Sequence, residues 1–122
     1  MNKIIGFIGG GNMGGAIIGG IIGSSIAQKD KVIVADLNKE GLKYIEDKYG
    51  VKTTTDNIEV AKSSDILFLS VKPNVYSSVI EEIKKVVKKD VVIVIIAAGK
   101  SINEVQNMFE REIKIVRVMP NT

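Results

Sequence analysis

The sequence predicts a doubly wound α/β domain, in which helices cover both faces of a parallel β-sheet. Three observations indicate this fold class. Short apolar runs alternate six times with segments of helical length, the connections between them are short, and a glycine-rich turn follows the first apolar run. Such alternation is typical of parallel sheets built from strand–helix–strand units. With right-handed crossovers we expect the strand order 3-2-1-4-5-6, in one domain over residues 1–122.

The first predicted strand, residues 3–8, leads into a turn with the spacing G-x-G-x-x-G, formed by Gly9, Gly11 and Gly14. This spacing is the dinucleotide-binding fingerprint of the Rossmann fold. Gly9 permits the tight turn, Gly11 lets a pyrophosphate approach the backbone, and Gly14 lets the next helix pack closely on the strand. The N-terminus of that helix offers N–H groups and a positive dipole end to the phosphates. We therefore predict a dinucleotide site here; a glycine-rich turn in another α/β protein is the alternative.

A first helix is predicted over residues 12–28. The second predicted strand follows at residues 31–35, and Asp36 comes directly after it. An acid at this distance from the fingerprint is placed to bind the ribose hydroxyls of NAD. A cofactor with a 2′-phosphate instead favours Arg, Ser or Asn at this position. Asn38 and Lys39 are close enough in sequence to reach such a phosphate. Asp36 therefore favours NADH as a competitor of NADPH.

Capping residues define three more helices. Asn38 predicts the start of a second helix that ends near Tyr49, with Gly50 at its C-terminal cap. Two capping boxes open the third and fifth helices, and they are Asp56 with Glu59 and Ser101 with Glu104. The remaining strands are predicted over residues 51–54, 65–71, 91–96 and 113–119. Lys114 and Arg117 indicate that the last strand lies nearer a sheet edge.

The fourth helix is predicted from one apolar stripe, which comprises Val75, Val79, Ile80, Ile83, Val86 and Val87. A run of lysines falls at the end of this helix: Lys84, Lys85, Lys88 and Lys89. There the lysines complement the helix dipole and pair with Glu81 at helical spacing. We interpret the run as a solvated helix end.

Composition excludes several kinds of chemistry. The 122 residues contain no Cys and no His, so disulfides, thiolate catalysis, histidine acid–base chemistry and most zinc sites are excluded within them. A net charge of +3 with six aromatic residues gives no nucleic-acid surface. The apolar run at residues 13–27 is too short to span a bilayer. We expect a cytoplasmic protein without a metal site or a membrane partner.

Four motifs follow one another in register: GFIGGGNM at residues 6–13, DILFLSVKP at 65–73, AAG at 97–99 and VRVMPNT at 116–122. Together they resemble pyrroline-5-carboxylate reductase, and the resemblance is collinear over the whole chain. The resemblance implies an enzyme that reduces the C=N bond of pyrroline-5-carboxylate to give proline, usually with NADPH. It also implies a second, helical domain that forms a homo-oligomer and supplies much of the substrate site. We expect this chain to be the cofactor domain alone.

The resemblance implies further cofactor-binding positions, grouped by motif. They are Gly10, Asn12 and Met13 at the pyrophosphate turn, Asn57, Val71, Lys72 and Pro73 on the adenosine and ribose side, and Ala97, Ala98 and Gly99 beside the nicotinamide. The substrate-side rim comprises Met119, Pro120, Asn121 and Thr122. Lys72 as a solvated residue and Asn57 as a helix-start residue are the alternatives. No proton donor is evident on this rim, so we assign no catalytic residue and expect the isolated chain to be inactive.

Two other functions remain open on the sequence. One is the cofactor domain of another dehydrogenase, of the 6-phosphogluconate or hydroxyisobutyrate type. The other is a non-enzymatic dinucleotide sensor, such as the regulatory domain of a potassium channel. The run Met119-Pro120-Asn121-Thr122 favours a reductase, because a sensor needs no substrate rim.

Overall fold

The computed structural model describes residues 3–9, 12–96 and 101–118. Six parallel strands form one sheet in the order β3-β2-β1-β4-β5-β6, as the sequence predicts. The strands are β1 (Ile5–Ile8), β2 (Val32–Ala35), β3 (Lys52–Thr54), β4 (Ile66–Leu69), β5 (Val92–Ile95) and β6 (Lys114–Arg117). The helices are α1 (Asn12–Gly23), α2 (Lys39–Tyr49), α3 (Asn57–Ser63), α4 (Tyr76–Ile83) and α5 (Ile102–Phe109), with short 3₁₀ turns at Lys29–Lys31 and Pro73–Val75.

Strand β1 is the central strand and is buried along its whole length. Ile5 lies opposite Val32 of β2 on one side and Ile66 of β4 on the other. The rings of Phe7 and Phe68 stack with their centroids 4.6 Å apart. Strands that are covered on both faces have continuous apolar sequences, which is why β1 was predictable as a buried parallel strand.

The core lies in two layers, one on each face of the sheet. On one face, α1 and α2 bury Ile18, Ile21, Leu42 and Ile45. On the other face, α3, α4 and α5 bury a larger set, which includes Val60, Tyr76, Ile80, Ile83, Val105 and Phe109. Because the strands are parallel, the turns that lead from each strand to the next helix lie at the carboxyl edge of the sheet.

The predicted caps are confirmed at α2 and α5. The Asn38 side chain accepts the backbone N–H of Gly41 at 3.0 Å, and Gly50 ends α2 with a φ of 69°. Ser101 and Glu104 form the complete capping box of α5, with bonds of 3.1 and 3.2 Å. These signals are local, so the sequence contains all the information that they need.

The capping box predicted at α3 is only half correct. Asp56 caps the helix by accepting the backbone N–H of Ile58 at 3.0 Å. The backbone N–H of Asp56 donates to Thr54 Oγ1 at 3.1 Å instead of to the carboxylate of Glu59. The hydroxyl of the preceding strand has replaced the carboxylate as the acceptor.

Two helices are shorter than predicted, and one lysine differs from its predicted environment. α1 ends at Gly23 rather than near residue 28, and α4 ends at Ile83, before the last two valines of its apolar stripe. The side chain of Lys84 is only 10% exposed, and its ammonium bonds to Glu81 at 2.8 Å, as predicted, and to Glu110 at 3.1 Å. Lys85, Lys88 and Lys89 are exposed, so the lysine run is solvated as predicted except at Lys84. Within the described ranges, every helix is too short or too polar to cross a membrane.

Candidate dinucleotide site

The candidate site lies where the carboxyl ends of β1 and β4 meet. β1 leads to α1 on one face of the sheet, and β4 leads to α4 on the other face. Ligands of doubly wound sheets bind in the crevice that opens at such a switch in connection direction. Gly9 follows β1 and Ser70 follows β4, so these two residues form the floor of the crevice.

Gly9 makes the tight turn that the fingerprint predicts. Its φ is +92°, a backbone conformation that residues with a Cβ rarely adopt. Its N–H donates to the carbonyl of Ala35 at 2.8 Å, which ties the turn to the end of β2. A Cβ at Gly9 would lie 2.7 Å from the carbonyl oxygen of Ser70. Gly10 and Gly11 lie outside the described residues.

Gly14 provides the close approach between α1 and the first turn. A Cβ there would lie 2.7 Å from the Gly9 carbonyl oxygen and 3.0 Å from Ser70 Oγ. Both distances are shorter than ordinary van der Waals contact, so only glycine fits without a shift of the backbone. Asn12 and Met13 begin α1, but their side chains lie outside the described atoms.

Asp36 extends the site along the end of β2. Its backbone N–H donates to the carbonyl of Thr54 at 3.2 Å, and its Oδ1 accepts the backbone N–H of Asn38 at 3.1 Å. Since Gly9 bonds to Ala35, Asp36 is one residue from the anchor of the glycine turn. The side-chain Oδ1 of Asn38 caps α2, and the Lys39 side chain is exposed. The structure therefore places Asp36 next to the turn, and its role in ribose binding stays a prediction.

The positions that the family resemblance implies do not all lie beside the glycine turn. Asn57 donates from Nδ2 to Glu82 of α4 at 3.0 Å, so its observed contact is between helices. Val71 is half-buried beside Gly9, whereas Lys72 and Pro73 are exposed at the start of the 3₁₀ turn. Their cofactor-binding roles stay predictions. The remaining predicted positions lie outside the described residues: Ala97, Ala98, Gly99, Met119, Pro120, Asn121 and Thr122.

Two hydroxyl residues at the site were missed by the sequence analysis. Ser70 donates its backbone N–H to Ile8 O at 2.9 Å, and its Oγ donates to Ile8 O at 3.2 Å and to Gly9 O. The buried Tyr76 hydroxyl donates to Leu69 O at 2.8 Å and accepts the N–H of Ile96 at 3.3 Å. The available signal was weak: Ser70 is the polar member of an otherwise apolar stretch, and nothing in the sequence around Tyr76 sets it apart.

The described features of the crevice are typical of sites that bind anions. Within residues 3–9, 12–96 and 101–118, there is no group of three or more acidic, His or Cys side chains that could hold a metal. The features that meet at the crevice are a positive-φ glycine, a glycine-lined helix start and two neutral hydroxyls. A helix start reached through a tight glycine turn is an arrangement that binds phosphate groups.

Comparison with known proteins agrees with this geometry. Residues 4–99 match the family described as NADP oxidoreductase, coenzyme F420-dependent. The pyrroline-5-carboxylate reductase of Escherichia coli (strain K12) is 38% identical over all 122 residues, which cover 45% of that protein. The solved structure of a pyrroline-5-carboxylate reductase from Coxiella burnetii is 32% identical with a TM-score of 0.94, and the match covers 100% of this chain and 45% of that one.

A solved Plasmodium falciparum pyrroline carboxylate reductase with NADP bound is similar over 98% of this chain and 43% of that one. Its identity is 31% and its TM-score is 0.86. The chain thus spans a little under half the length of the relatives that it matches.

Proposed function

Since the chain belongs to the family of NADP oxidoreductases described as coenzyme F420-dependent, we propose that it is the dinucleotide-binding domain of a pyrroline-5-carboxylate reductase. The observation that carries the proposal is the collinear similarity to such a reductase, at 38% identity over all 122 residues. The conformations of Gly9 and Gly14 support it, because they form a turn that a pyrophosphate can approach.

In the proposed reaction, the reduced nicotinamide transfers a hydride to the imine carbon of 1-pyrroline-5-carboxylate. The ring nitrogen takes up a proton, and the products are proline and the oxidised cofactor. The cofactor supplies the hydride, and the protein supplies binding and orientation. The crevice between β1 and β4 would hold the dinucleotide so that the imine carbon lies within reach of the nicotinamide. We assign no catalytic residue to this chain.

We propose NADPH as the cofactor and NADH as its competitor. The family description and the NADP-bound relative support NADPH. Asp36 supports NADH, because its carboxylate lies at the end of β2, where a negative charge repels a 2′-phosphate. For the whole enzyme we propose a cytoplasmic homo-oligomer that acts on this small imino acid, with no nucleic-acid or membrane partner.

The binding proposal is tested by calorimetric titration of the chain with NADPH and NADH. Gly11→Val is expected to block the approach of the pyrophosphate and to weaken both cofactors by tenfold or more, on the order of 1.4 kcal/mol. Gly20→Val is the matched control, because Gly20 lies on α1, further along the chain, with nothing within 4 Å of its Cβ position. A parent chain that binds neither cofactor contradicts the proposed function, and a Gly11→Val chain that binds like the parent contradicts the position of the site.

The second test concerns turnover. The chain spans 45% of the length of its Escherichia coli relative and contains neither His nor Cys. We therefore propose that these 122 residues bind the cofactor but do not reduce the imine by themselves. The measurement is NADPH oxidation with excess pyrroline-5-carboxylate, against a control without protein. Turnover at about 1–1000 per second, the ordinary enzymatic range, would contradict the proposal.

A further inference from the structure

We propose that Ser70 is a positioning residue, whose hydroxyl holds the glycine turn in the conformation that binds the cofactor pyrophosphate. The inference rests on the proposed function and deepens it. Ser70 follows β4 directly and belongs to neither the fingerprint nor the ribose site. Its side chain nevertheless reaches across to the end of β1.

The contacts of Ser70 join two strands at the switch point. Its backbone N–H donates to Ile8 O at 2.9 Å, which continues the ladder between β4 and β1. Its Oγ donates to Ile8 O at 3.2 Å and to Gly9 O. One side chain thus contacts the last carbonyl of β1 and the first carbonyl of the turn.

Gly9 is the residue that most needs such an anchor. Glycine populates positive and negative φ about equally in a flexible chain, so its φ of +92° must be selected by its surroundings. Its N–H is held by Ala35 O at 2.8 Å, and its carbonyl is held by Ser70 Oγ. Because a peptide unit is planar, fixing this carbonyl sets the plane in which the chain leaves β1.

The same hydroxyl also adjoins the start of α1. A Cβ at Gly14 would lie 3.0 Å from Ser70 Oγ and 2.7 Å from Gly9 O. Ser70, Gly9 and Gly14 therefore pack as one unit, in which the turn and the helix start are held together. An anchor that forms before the ligand arrives reduces the ordering cost of binding. A neutral hydroxyl does so without placing a charge near the phosphates.

The test compares Ser70→Ala with Ser64→Ala in the 122-residue chain. Ser64 is fully buried just before the other end of β4, and its Oγ donates to Val60 O at 2.7 Å. Both substitutions remove one hydroxyl that bonds to a backbone carbonyl, but only Ser70 adjoins the glycine turn. The dissociation constants of NADPH and NADH and the thermal midpoints are measured for the parent and both variants.

Ser70→Ala is expected to weaken NADPH and NADH by the same factor, about threefold to tenfold, because a neutral hydrogen bond is lost from the part of the site that both cofactors share. Ser64→Ala is expected to bind within about twofold of the parent, even where its thermal midpoint falls further. Ser70→Thr, which keeps the hydroxyl, is expected to keep the affinity.

Three results would overturn the inference. In the first, Ser70→Ala binds both cofactors as tightly as the parent. In the second, Ser64→Ala loses as much affinity as Ser70→Ala, which would indicate a general loss of stability. In the third, the parent binds neither cofactor, and the proposed function fails together with this inference. The first two results leave the proposed function intact, so the failures are distinguishable.

Discussion

The two ends of the sheet are held together by different chemistry. At the amino end, Asp65 accepts the backbone N–H of Ile4 on Oδ2 at 2.8 Å and the ammonium of Lys88 on Oδ1 at 3.1 Å. At the carboxyl end, the corresponding bridges are made by the hydroxyls of Ser70 and Tyr76, which bond to backbone groups. The first set of contacts is charged and the second is neutral.

A second charged contact at the amino end joins α4 to the end of α5. The nearly buried Lys84 bridges Glu81 and Glu110, and Arg111 donates to the Lys84 carbonyl at 3.2 Å. The two carboxylates raise the pKa of Lys84, since they stabilise its charged form. These ion pairs lie at the opposite end of the sheet from the candidate site.

This difference indicates that the charged contacts that hold the strands and helices together lie at the opposite end of the sheet from the candidate site. Charges that pair with one another at the amino end do not compete with a ligand. Neutral hydroxyls at the carboxyl end hold the strands together and add no charge beside the N-terminus of α1, whose positive dipole end favours a phosphate. Asp36 and Asp56 are exceptions, because each brings a carboxylate to the carboxyl end.

If the carboxyl end depends on close backbone contacts, then one methyl group added there should have the largest effect on the free energy of unfolding. Gly14→Ala is expected to lower the free energy of unfolding by about 2–3 kcal/mol, because its Cβ would lie 2.7 Å from a carbonyl oxygen. Gly20→Ala, six residues further along α1, meets open space and is expected to raise it by up to about 1 kcal/mol. Urea denaturation measures both; equal shifts in the two variants would contradict this difference.

At the charged amino end, Asp65 makes a smaller contribution to the free energy of unfolding, and this contribution depends on pH. Asp65→Ala is expected to cost about 2 kcal/mol of unfolding free energy at pH 7, because the N–H of Ile4 loses its acceptor and Lys88 loses its partner. Asp47→Ala is the control, since Asp47 pairs with Lys43 on the surface with both side chains more than half exposed. Such exposed pairs contribute about 0–1 kcal/mol.

The pH dependence follows from the direction of the Asp65 shift. The N–H of Ile4, assisted by Lys88, holds the pKa of Asp65 below its ordinary value. A lowered pKa in the folded state stabilises the protein above the unfolded pKa of about 4. The stabilisation is lost as the pH falls from there through the folded pKa. The difference between parent and Asp65→Ala should therefore shrink below about pH 4, and a difference that stays constant to pH 2 would contradict the assignment.

The fold was predictable because its signals are local. Continuous apolar strands indicated the parallel sheet, and Asn38 and Ser101 begin helices where their capping spacing predicts. The exceptions needed contacts between distant residues. Lys84 bonds to Glu110, which lies 26 positions later in the sequence, and no local pattern indicates this contact.

The candidate site was predictable only in part, for the same reason. The spacing of the glycines indicated a tight turn at Gly9 and close packing at Gly14, and both conformations are observed. The anchors were not predictable, because Ser70 bonds to Gly9 from 61 positions away and Tyr76 bonds to Ile96 from 20 positions away. Spacing along the chain indicates where a ligand approaches, whereas the residues that hold the turn are found only in three dimensions.

The smallest effect is expected at Asp36, one of the two carboxylates described at the carboxyl end. Asp36→Ser is expected to tighten NADPH about fivefold relative to NADH, or about 1 kcal/mol, since it removes one negative charge from the ribose end of the crevice. The serine oxygen is still able to accept the backbone N–H of Asn38, which Asp36 accepts at 3.1 Å. The quantity to measure is the ratio of the two dissociation constants, because changes in stability affect both cofactors and cancel.

Asp56→Ser is the matched control for this ratio. Asp56 also follows a strand at the carboxyl edge and accepts a backbone N–H, that of Ile58 at 3.0 Å, and serine is an equally good helix cap. Both variants change the net charge by the same amount, so a general field effect would shift both ratios. A shift in Asp36→Ser alone indicates that its carboxylate faces the 2′ position. An unchanged ratio would mean that the Asp36 carboxylate does not face the 2′ position.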